Sequence, residues 1–223
     1  MGNAKGSWLR RLLPGKAKAK VRHLLDDARD EANPKVFANG GVVLWDEFLP
    51  KNDFIALQRW ANQATCEFTR ADRKWQEQLV RDFDECYGSR QWCSLSDDMP
   101  DEVRTFVNAV YKTGLIPEGT EIHLGVYRWQ PKSGMGEHSD SHTDTANTFY
   151  LNDVWKDDWF GDFIFYDSEE GERKGIGRAV APKENRLVIN RATVHHKVTY
   201  TSENAVDRLT LQAFLPKPED GHA

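Results

Sequence analysis

Two His-x-Asp pairs stand close together in the second half of the sequence, His138-Ser139-Asp140 and His142-Thr143-Asp144. Side chains two residues apart share a face of an extended chain, so His138 and Asp140 can point to one position. A second histidine from another strand would complete a set of two imidazoles and one carboxylate. Such a set suits Fe(II) and leaves three coordination positions open. The pattern predicts a metal site with room for a cosubstrate and dioxygen.

The second histidine is predicted from the alternation of residues 194–200. His196 shares a face with two valines, whereas His195 shares its face with Lys197. Because lysine favours water, the face with the valines is expected to point inward. His196 is therefore the predicted ligand, and His195 is expected to be structural or exposed to solvent.

Arg208 begins a second alternating pattern, in which Arg208, Thr210 and Gln212 share one face and the other face is apolar. A guanidinium with a neighbouring hydroxyl can bind a carboxylate. The alternative for Arg208 alone is a surface arginine on a one-sided sheet. Its position shortly after the His196 strand favours carboxylate binding.

The order of these motifs resembles the Fe(II)- and 2-oxoglutarate-dependent dioxygenases, specifically their prolyl-4-hydroxylase-like branch. The resemblance covers roughly residues 41–215, and several short motifs in one order make it more specific than a lone His-x-Asp pair. The motifs are Tyr127, His138-x-Asp140, Phe149-Tyr150-Leu151-Asn152 with Trp155, His196-x-Val198, and Arg208-x-Thr210. The run VLWDEFL at 43–49 also looks like the start of such domains.

The resemblance implies a mainly β fold with flanking helices, a double-stranded β-helix of the jelly-roll or cupin-like type. It implies that His138, Asp140 and His196 hold Fe(II) and that Arg208 pairs with the distal carboxylate of 2-oxoglutarate. Tyr127, Tyr150 and Thr210 match positions that help to bind this cosubstrate. The implied activity hydroxylates an aliphatic C–H bond with dioxygen and releases succinate and CO2, with ascorbate as a candidate reductant. The implied substrate is a peptidyl residue, an amino acid or a small biosynthetic intermediate.

Spacing decides between the two His-x-Asp pairs, because in similar sequences the Tyr-Leu-Asn run follows the metal histidine by about a dozen residues. His138 satisfies this spacing and His142 does not. His142 and Asp144 are then expected at the mouth of the cavity, where they contact substrate or hydrogen-bond a loop. Asp140 itself argues against halogenation, because halogenases of this family have Gly or Ala there.

One motif departs from the family pattern. Many relatives have two glycines after the tryptophan-containing loop, whereas Phe160, Gly161 and Asp162 stand there in this chain. One glycine is lost, which leaves the local strand geometry open.

Composition limits the remaining classes. The chain has 223 residues with a mean hydropathy of -0.69 and no apolar run long enough for a membrane span. Its three cysteines, Cys66, Cys86 and Cys93, include no Cys-x-x-Cys pair, so we expect reduced thiols and a cytoplasmic location. Membrane partners are not expected.

Charge is distributed unevenly along the chain. Residues 1–25 contain seven Lys or Arg and no acidic residue, and the rest has 23 basic and 35 acidic residues. Two alternative functions stay open: a nucleic-acid oxidative demethylase that uses the basic arm, and a non-catalytic jelly roll that binds a carboxylate or sugar. The acidic body makes nucleic acid an unfavoured partner.

The pattern of elements predicts a basic arm with a short helix at 1–34 and one domain at 35–223. Helices are predicted at 24–32, 54–64 and 99–112. The candidate N-caps are Asn52 or Asp53 for the second helix and Asp97 or Asp98 for the third. Strands are predicted at 42–45, 121–129, about 146–152, 160–166, 177–181, 186–190, 194–200 and 206–215. Closely spaced strands without helices between them favour a sandwich or barrel.

Overall fold

A computed structural model describes residues 33–38, 41–68, 86–141, 143–166 and 177–216. All of the predicted arm except its last two residues lies outside this part of the chain, as do the predicted helix 24–32 and His142. The division into an arm and one domain therefore stays a prediction. None of the helices in the described ranges is long and apolar enough to cross a membrane.

Two antiparallel sheets make up most of the described structure. The main sheet contains β1 (Lys35–Phe37), β2 (Val42–Trp45), β3 (Glu67–Phe68), β4 (Cys86–Gly88), β5 (Trp92–Cys93), β6 (His123–Trp129), β8 (Thr143–Tyr150), β11 (Leu187–Arg191) and β13 (Arg208–Pro216). Its order is β1-β2-β11-β8-β13-β6-β4-β3, with β5 also paired to β6. The second sheet has the order β10-β9-β12-β7 and contains β7 (Met135–His138), β9 (Phe163–Tyr166), β10 (Gly177–Val180) and β12 (His196–Val198).

Two helices cover one face of the main sheet, α1 (Lys51–Gln63) and α2 (Asp101–Lys112). Their apolar stripes join the apolar face of the sheet in one buried cluster. The other face of the main sheet packs against the second sheet through a smaller cluster that includes Val188 and Phe165. The predicted mainly β architecture with flanking helices is confirmed.

The predicted helix caps were wrong. Each helix begins after a proline, Pro50 or Pro100, and neither N-cap makes a side-chain hydrogen bond. The proline carbonyls accept the first helical N–H bonds, from Phe54 and Arg104, as the carbonyl of any N-cap residue does. A proline at this position has no N–H of its own to leave unpaired, and its fixed φ suits the extended conformation that precedes a helix.

The long strands were predicted close to their observed positions, whereas short ones were missed. β7 lies between the strands predicted at 121–129 and about 146–152, and β3, β4 and β5 have two or three residues each. Such short segments show no alternation of polar and apolar residues. They form because longer neighbours pair with them, as β6 does with β4 and β5.

We expect Phe149→Ala to lower the free energy of unfolding by about 3–5 kcal/mol, as measured by urea denaturation. Phe149 is fully buried, and its ring centroid lies 5.9, 6.1 and 5.0 Å from those of Phe48, Phe54 and Phe106. The control is Leu95→Ala, whose side chain is exposed and whose change should stay within about 0.5 kcal/mol. A loss below about 1 kcal/mol for Phe149→Ala would show that this packing does not hold the helices to the sheet.

Candidate metal and cosubstrate site

A cavity of about 280 Å³ lies between the two sheets. The main sheet contributes Trp129 and Arg208 to its wall, and the second sheet contributes Phe163 and His196. Asp140 lines it from the segment after β7. Both sheets are therefore needed to form the cavity.

His138, Asp140 and His196 meet in this cavity. Their possible ligand atoms all lie within 4.8 Å of one another. Nε2 of His138 is 3.8 Å from Oδ1 of Asp140, and Nε2 of His196 is 3.5 Å from Oδ2. The two histidines lie side by side on one face of the second sheet because they are register partners in the pairing of β12 with β7. The donor set matches the one that suits Fe(II), so these residues fit the predicted ion.

Backbone carbonyls orient both imidazoles. Nδ1 of His138 lies 2.8 Å from the carbonyl of Gly136, and Nδ1 of His196 lies 2.9 Å from that of Val194. A carbonyl can only accept, so Nδ1 carries the proton in each ring. In the neutral ring, Nε2 then has a free lone pair directed toward the other two donors.

Burial keeps His196 neutral. Its pKa is lowered to about 4, first because burial disfavours the imidazolium and then because His138 is close, while the Asp140 carboxylate acts in the opposite direction. A neutral imidazole is the form that binds a metal ion.

Asn190 on β11 is a functional candidate that the sequence analysis missed. Its Nδ2 donates a hydrogen bond of 3.1 Å to Oδ2 of Asp140, and both side chains are buried. This bond holds the carboxylate in place and leaves Oδ1 as the oxygen without a donor among the described residues. The available signal was one polar residue in the apolar run of 187–190.

Arg208 lies at the other side of the cavity. Its side chain is buried, Nη1 donates a 3.1 Å hydrogen bond to the carbonyl of Gly161, and its guanidinium lies 5.2 Å from the centre of a Trp129 ring. Arg208 and Trp129 are register partners on β13 and β6. The surface alternative for Arg208 is thus wrong, because the strand turns this face toward the second sheet.

Tyr127, Thr210 and Tyr150 form the next row of the main sheet, since Thr210 is the register partner of both tyrosines. Among the described residues, the cavity wall includes Arg208 but not these three. The Thr210 hydroxyl is fully buried and makes no hydrogen bond there. Gln91 donates a 3.1 Å bond to the Tyr127 hydroxyl. Burial raises the pKa of Tyr150, against the effect of the nearby Arg208 charge, so its phenol stays protonated.

The departure at Phe160 and Gly161 falls on a turn in which both residues have a positive φ. Gly161 has a φ of +80°, and a Cβ there would lie 3.0 Å from Thr201 and 3.2 Å from Trp155. Phe160, in place of the lost glycine, also has a positive φ, 53° with a ψ of -140°. Its carbonyl accepts a 2.7 Å bond from Nε1 of Trp155. This turn positions the Gly161 carbonyl for Arg208, with strain at Phe160.

The other predicted residues lie around this centre. His195 is half-exposed, as expected, and its Nδ1 lies 3.8 Å from a carboxylate oxygen of Glu137. Asp144 is half-buried and near Arg191, and its charge opposes the lowering of the Arg191 pKa by burial. Contact of Asp144 with substrate stays a prediction.

No model of a known protein family matches the chain, and no curated protein does. Solved structures are similar to it. A prolyl-4-hydroxylase from Pseudomonas putida has a TM-score of 0.62 at 15% identity, covering 87% of this chain and 99% of that one. A Trichoplax adhaerens prolyl hydroxylase, in complex with a hypoxia inducible factor peptide fragment, has a TM-score of 0.62 at 14% identity, covering 96% and 94%. HygX from Streptomyces hygroscopicus, with nickel and 2-oxoglutarate bound, has a TM-score of 0.50 at 10% identity. The similarity covers 79% of this chain and 83% of that one.

These similarities show that the chain has the fold of these oxygenases. The predicted double-stranded β-helix is confirmed.

We expect Asn190→Ala to weaken Mn(II) binding by about 10–100-fold, because the carboxylate of Asp140 would lose its side-chain donor. Calorimetric titration of the metal-free protein measures this affinity. Thr148→Val is the matched control, because Thr148 lines the same cavity without a hydrogen bond to the three donor residues. Unchanged Mn(II) affinity in a folded Asn190→Ala protein would contradict the positioning role.

Two substitutions in the turn at 160–161 should change the free energy of unfolding in opposite directions. Phe160→Gly should raise the free energy of unfolding by about 1 kcal/mol because glycine adopts this φ and ψ without strain and the ring is 54% exposed. Gly161→Ala should lower it by about 1–3 kcal/mol because its Cβ would meet Thr201. Thermal and urea denaturation measure both, and changes in the same direction would refute this account of the turn.

Proposed function

We propose that this chain is an Fe(II)- and 2-oxoglutarate-dependent oxygenase that hydroxylates an aliphatic C–H bond and releases succinate and CO2. The observation that carries the proposal is the convergence of His138, Asp140 and His196 in one cavity that also contains a buried arginine, Arg208. The fold shared with 2-oxoglutarate oxygenases supports it.

In this proposal His138, Asp140 and His196 hold the iron. When bound there with 2-oxoglutarate, the iron supplies dioxygen activation coupled to decarboxylation of the cosubstrate. The Gly136 and Val194 carbonyls fix the direction of the two imidazoles, and Asn190 fixes the carboxylate. Three protein donors would leave the remaining coordination positions of the ion to other ligands. Those ligands would come from the cavity, which all three donors line.

Arg208 binds the distal carboxylate of 2-oxoglutarate in this proposal. A guanidinium offers five N–H donors in a planar fork, and the carbonyl of Gly161 accepts from one of them. The ring of Trp129 beside it holds the guanidinium plane. Thr210 lies two residues further along the same face of β13, and its buried hydroxyl makes no hydrogen bond among the described residues, which supports a polar ligand beside this face.

Apolar side chains form much of the remaining wall of the cavity. Met135, Phe163, Val198 and Phe214 contribute to it, and the Phe163 ring centroid lies 5.0 Å from that of His196. These residues exclude water from the reacting groups and leave polar contacts to a few positions. The cavity would therefore bind the aliphatic part of a substrate.

A peptidyl residue, an amino acid and a small biosynthetic intermediate are the proposed substrate classes, with dioxygen as co-substrate and ascorbate as candidate reductant. A peptide bound to the Trichoplax enzyme supports the first class. We propose a cytoplasmic location, which the free thiols of Cys66 and Cys93 support.

The test is anaerobic reconstitution with Fe(II), ascorbate and 2-oxoglutarate, followed by succinate release on admitting oxygen, with a screen of peptides and amino acids for stimulation. We expect succinate from the wild-type protein. If metal and 2-oxoglutarate bind but no succinate forms with any substrate, the chain is a binding module. If only alkylated oligonucleotides stimulate turnover, it is a demethylase.

Arg208→Ala should raise the KM for 2-oxoglutarate about 30-fold or more, because truncating one partner of a buried charge pair costs about 2–5 kcal/mol. Mn(II) affinity should stay within about twofold, since Arg208 contacts none of the three donor residues through the hydrogen bonds described. Arg178→Ala is the matched control, because Arg178 is exposed and lies over Phe37. An unchanged KM in Arg208→Ala would overturn the carboxylate assignment.

A further inference from the structure

A second group of metal-binding residue types lies on β5 and the start of β6. The group consists of Cys93, Glu121 and His123, whose possible ligand atoms all lie within 4.8 Å of one another. Oε1 of Glu121 is 2.6 Å from Nε2 of His123 and 3.7 Å from Sγ of Cys93. The hydrogen bond between Glu121 and His123 explains the approach of these two residues. The Cys93 thiol donates to the same carboxylate oxygen, so Glu121 lies between a thiol and an imidazole.

The backbone fixes the separation of these side chains. Cys93 and His123 are register partners in the antiparallel pairing of β5 with β6, so both point to one face. Ser94 donates from its backbone N–H to the carbonyl of Ile122 at 2.8 Å, and its hydroxyl accepts from the N–H of Ile122 at 2.9 Å. Ile122 itself is buried. The segment with Glu121 and His123 is thus held on both sides before any ion binds.

We propose that Cys93, Glu121 and His123 form a binding site for Zn(II). A thiolate, an imidazole and a carboxylate are the three side-chain donors that zinc uses in proteins. Tetrahedral zinc with its usual bond lengths needs ligand atoms about 3.3–3.6 Å apart, and the observed separations lie on both sides of this range. Rotation about side-chain bonds is enough to close the difference.

Exposure makes the site accessible. About half of the His123 and Glu121 side chains is exposed to solvent, and Cys93 is partly exposed. A zinc ion can therefore enter from solvent and keep a water molecule as its fourth ligand. On binding, the Cys93 thiol gives up its proton to solvent and becomes the thiolate ligand.

The zinc site is separate from the candidate iron site. Asn190, Ala146, Phe214 and His123 are successive register partners on four neighbouring strands. Strands are about 4.8 Å apart, so His123 lies roughly 14 Å from Asn190, which contacts Asp140. The two sites also differ in chemistry, because the iron site has no sulfur donor.

Cobalt(II) is the probe, because a cysteine thiolate bound to Co(II) gives a charge-transfer absorption in the near ultraviolet that nitrogen and oxygen donors do not give. We expect the wild-type protein to bind two Co(II) ions per chain with this absorption, and Zn(II) to remove it. Cys93→Ser should bind one ion without the absorption. Glu121→Gln and His123→Ala should weaken the sulfur site by about tenfold or more.

Two controls separate this proposal from the proposed oxygenase. The double variant Cys66→Ser/Cys86→Ser should keep the absorption, which assigns it to Cys93. Asp140→Ala should also keep it, whether or not the chain is an oxygenase. Circular dichroism checks that each variant folds. The proposal is overturned if the wild-type protein shows no thiolate absorption with Co(II), or if the absorption persists in folded Cys93→Ser.

Discussion

The register of β12 against β7 is the constraint on which the candidate iron site depends. His196 stands directly opposite His138 in this pairing, and β12 also pairs with β9, where His196 stands opposite Phe165. A slip of one residue would turn His196 outward and bring His195 inward. Hydrogen bonds along both edges of β12 therefore select which histidine faces Asp140. The apolar residues next to His196 make this choice favourable, because Val194 is buried with it.

The main sheet positions Arg208, because alternate residues of β13 lie on opposite faces of the sheet. Leu209 and Leu211 pack toward the helices, and the alternation of β13 turns Arg208 and Thr210 to the opposite side. Packing of Leu209 and Leu211 against the helices thus fixes the direction of Arg208, which lies on the opposite face of the strand. Trp129, on the neighbouring strand, then holds the guanidinium beside the cavity. One alternating strand thus contributes to the core with one face and to the proposed carboxylate site with the other.

Much of this arrangement was readable from the sequence. Alternation predicted the long strands and favoured His196 over His195, because burial of the valines determines the direction of the whole strand. The helix starts were predicted wrongly, because Asp53 and Asp98 indicated caps where proline carbonyls accept the first bonds. Asn190 was missed because its role depends on a contact with Asp140 across the fold.

The proposed zinc site also depends on contacts that the sequence does not show. The absence of a Cys-x-x-Cys pair gave no reason to expect zinc, yet Cys93 and His123 lie side by side once β5 pairs with β6. β5 has only two residues, and its position depends on hydrogen bonds to β6. Sites made of residues from separate strands can be recognised only when the pairing is known.

The most direct test of the central claim is the visible absorption of Fe(II) with 2-oxoglutarate, recorded without oxygen. The account predicts a charge-transfer band from 2-oxoglutarate chelated to the iron, because His138, Asp140 and His196 would leave the other coordination positions to the cosubstrate. The band should be absent in a folded His138→Ala/His196→Ala protein. Iron binding at this site without a band on addition of 2-oxoglutarate would contradict the claim, as would a band that survives the loss of both histidines.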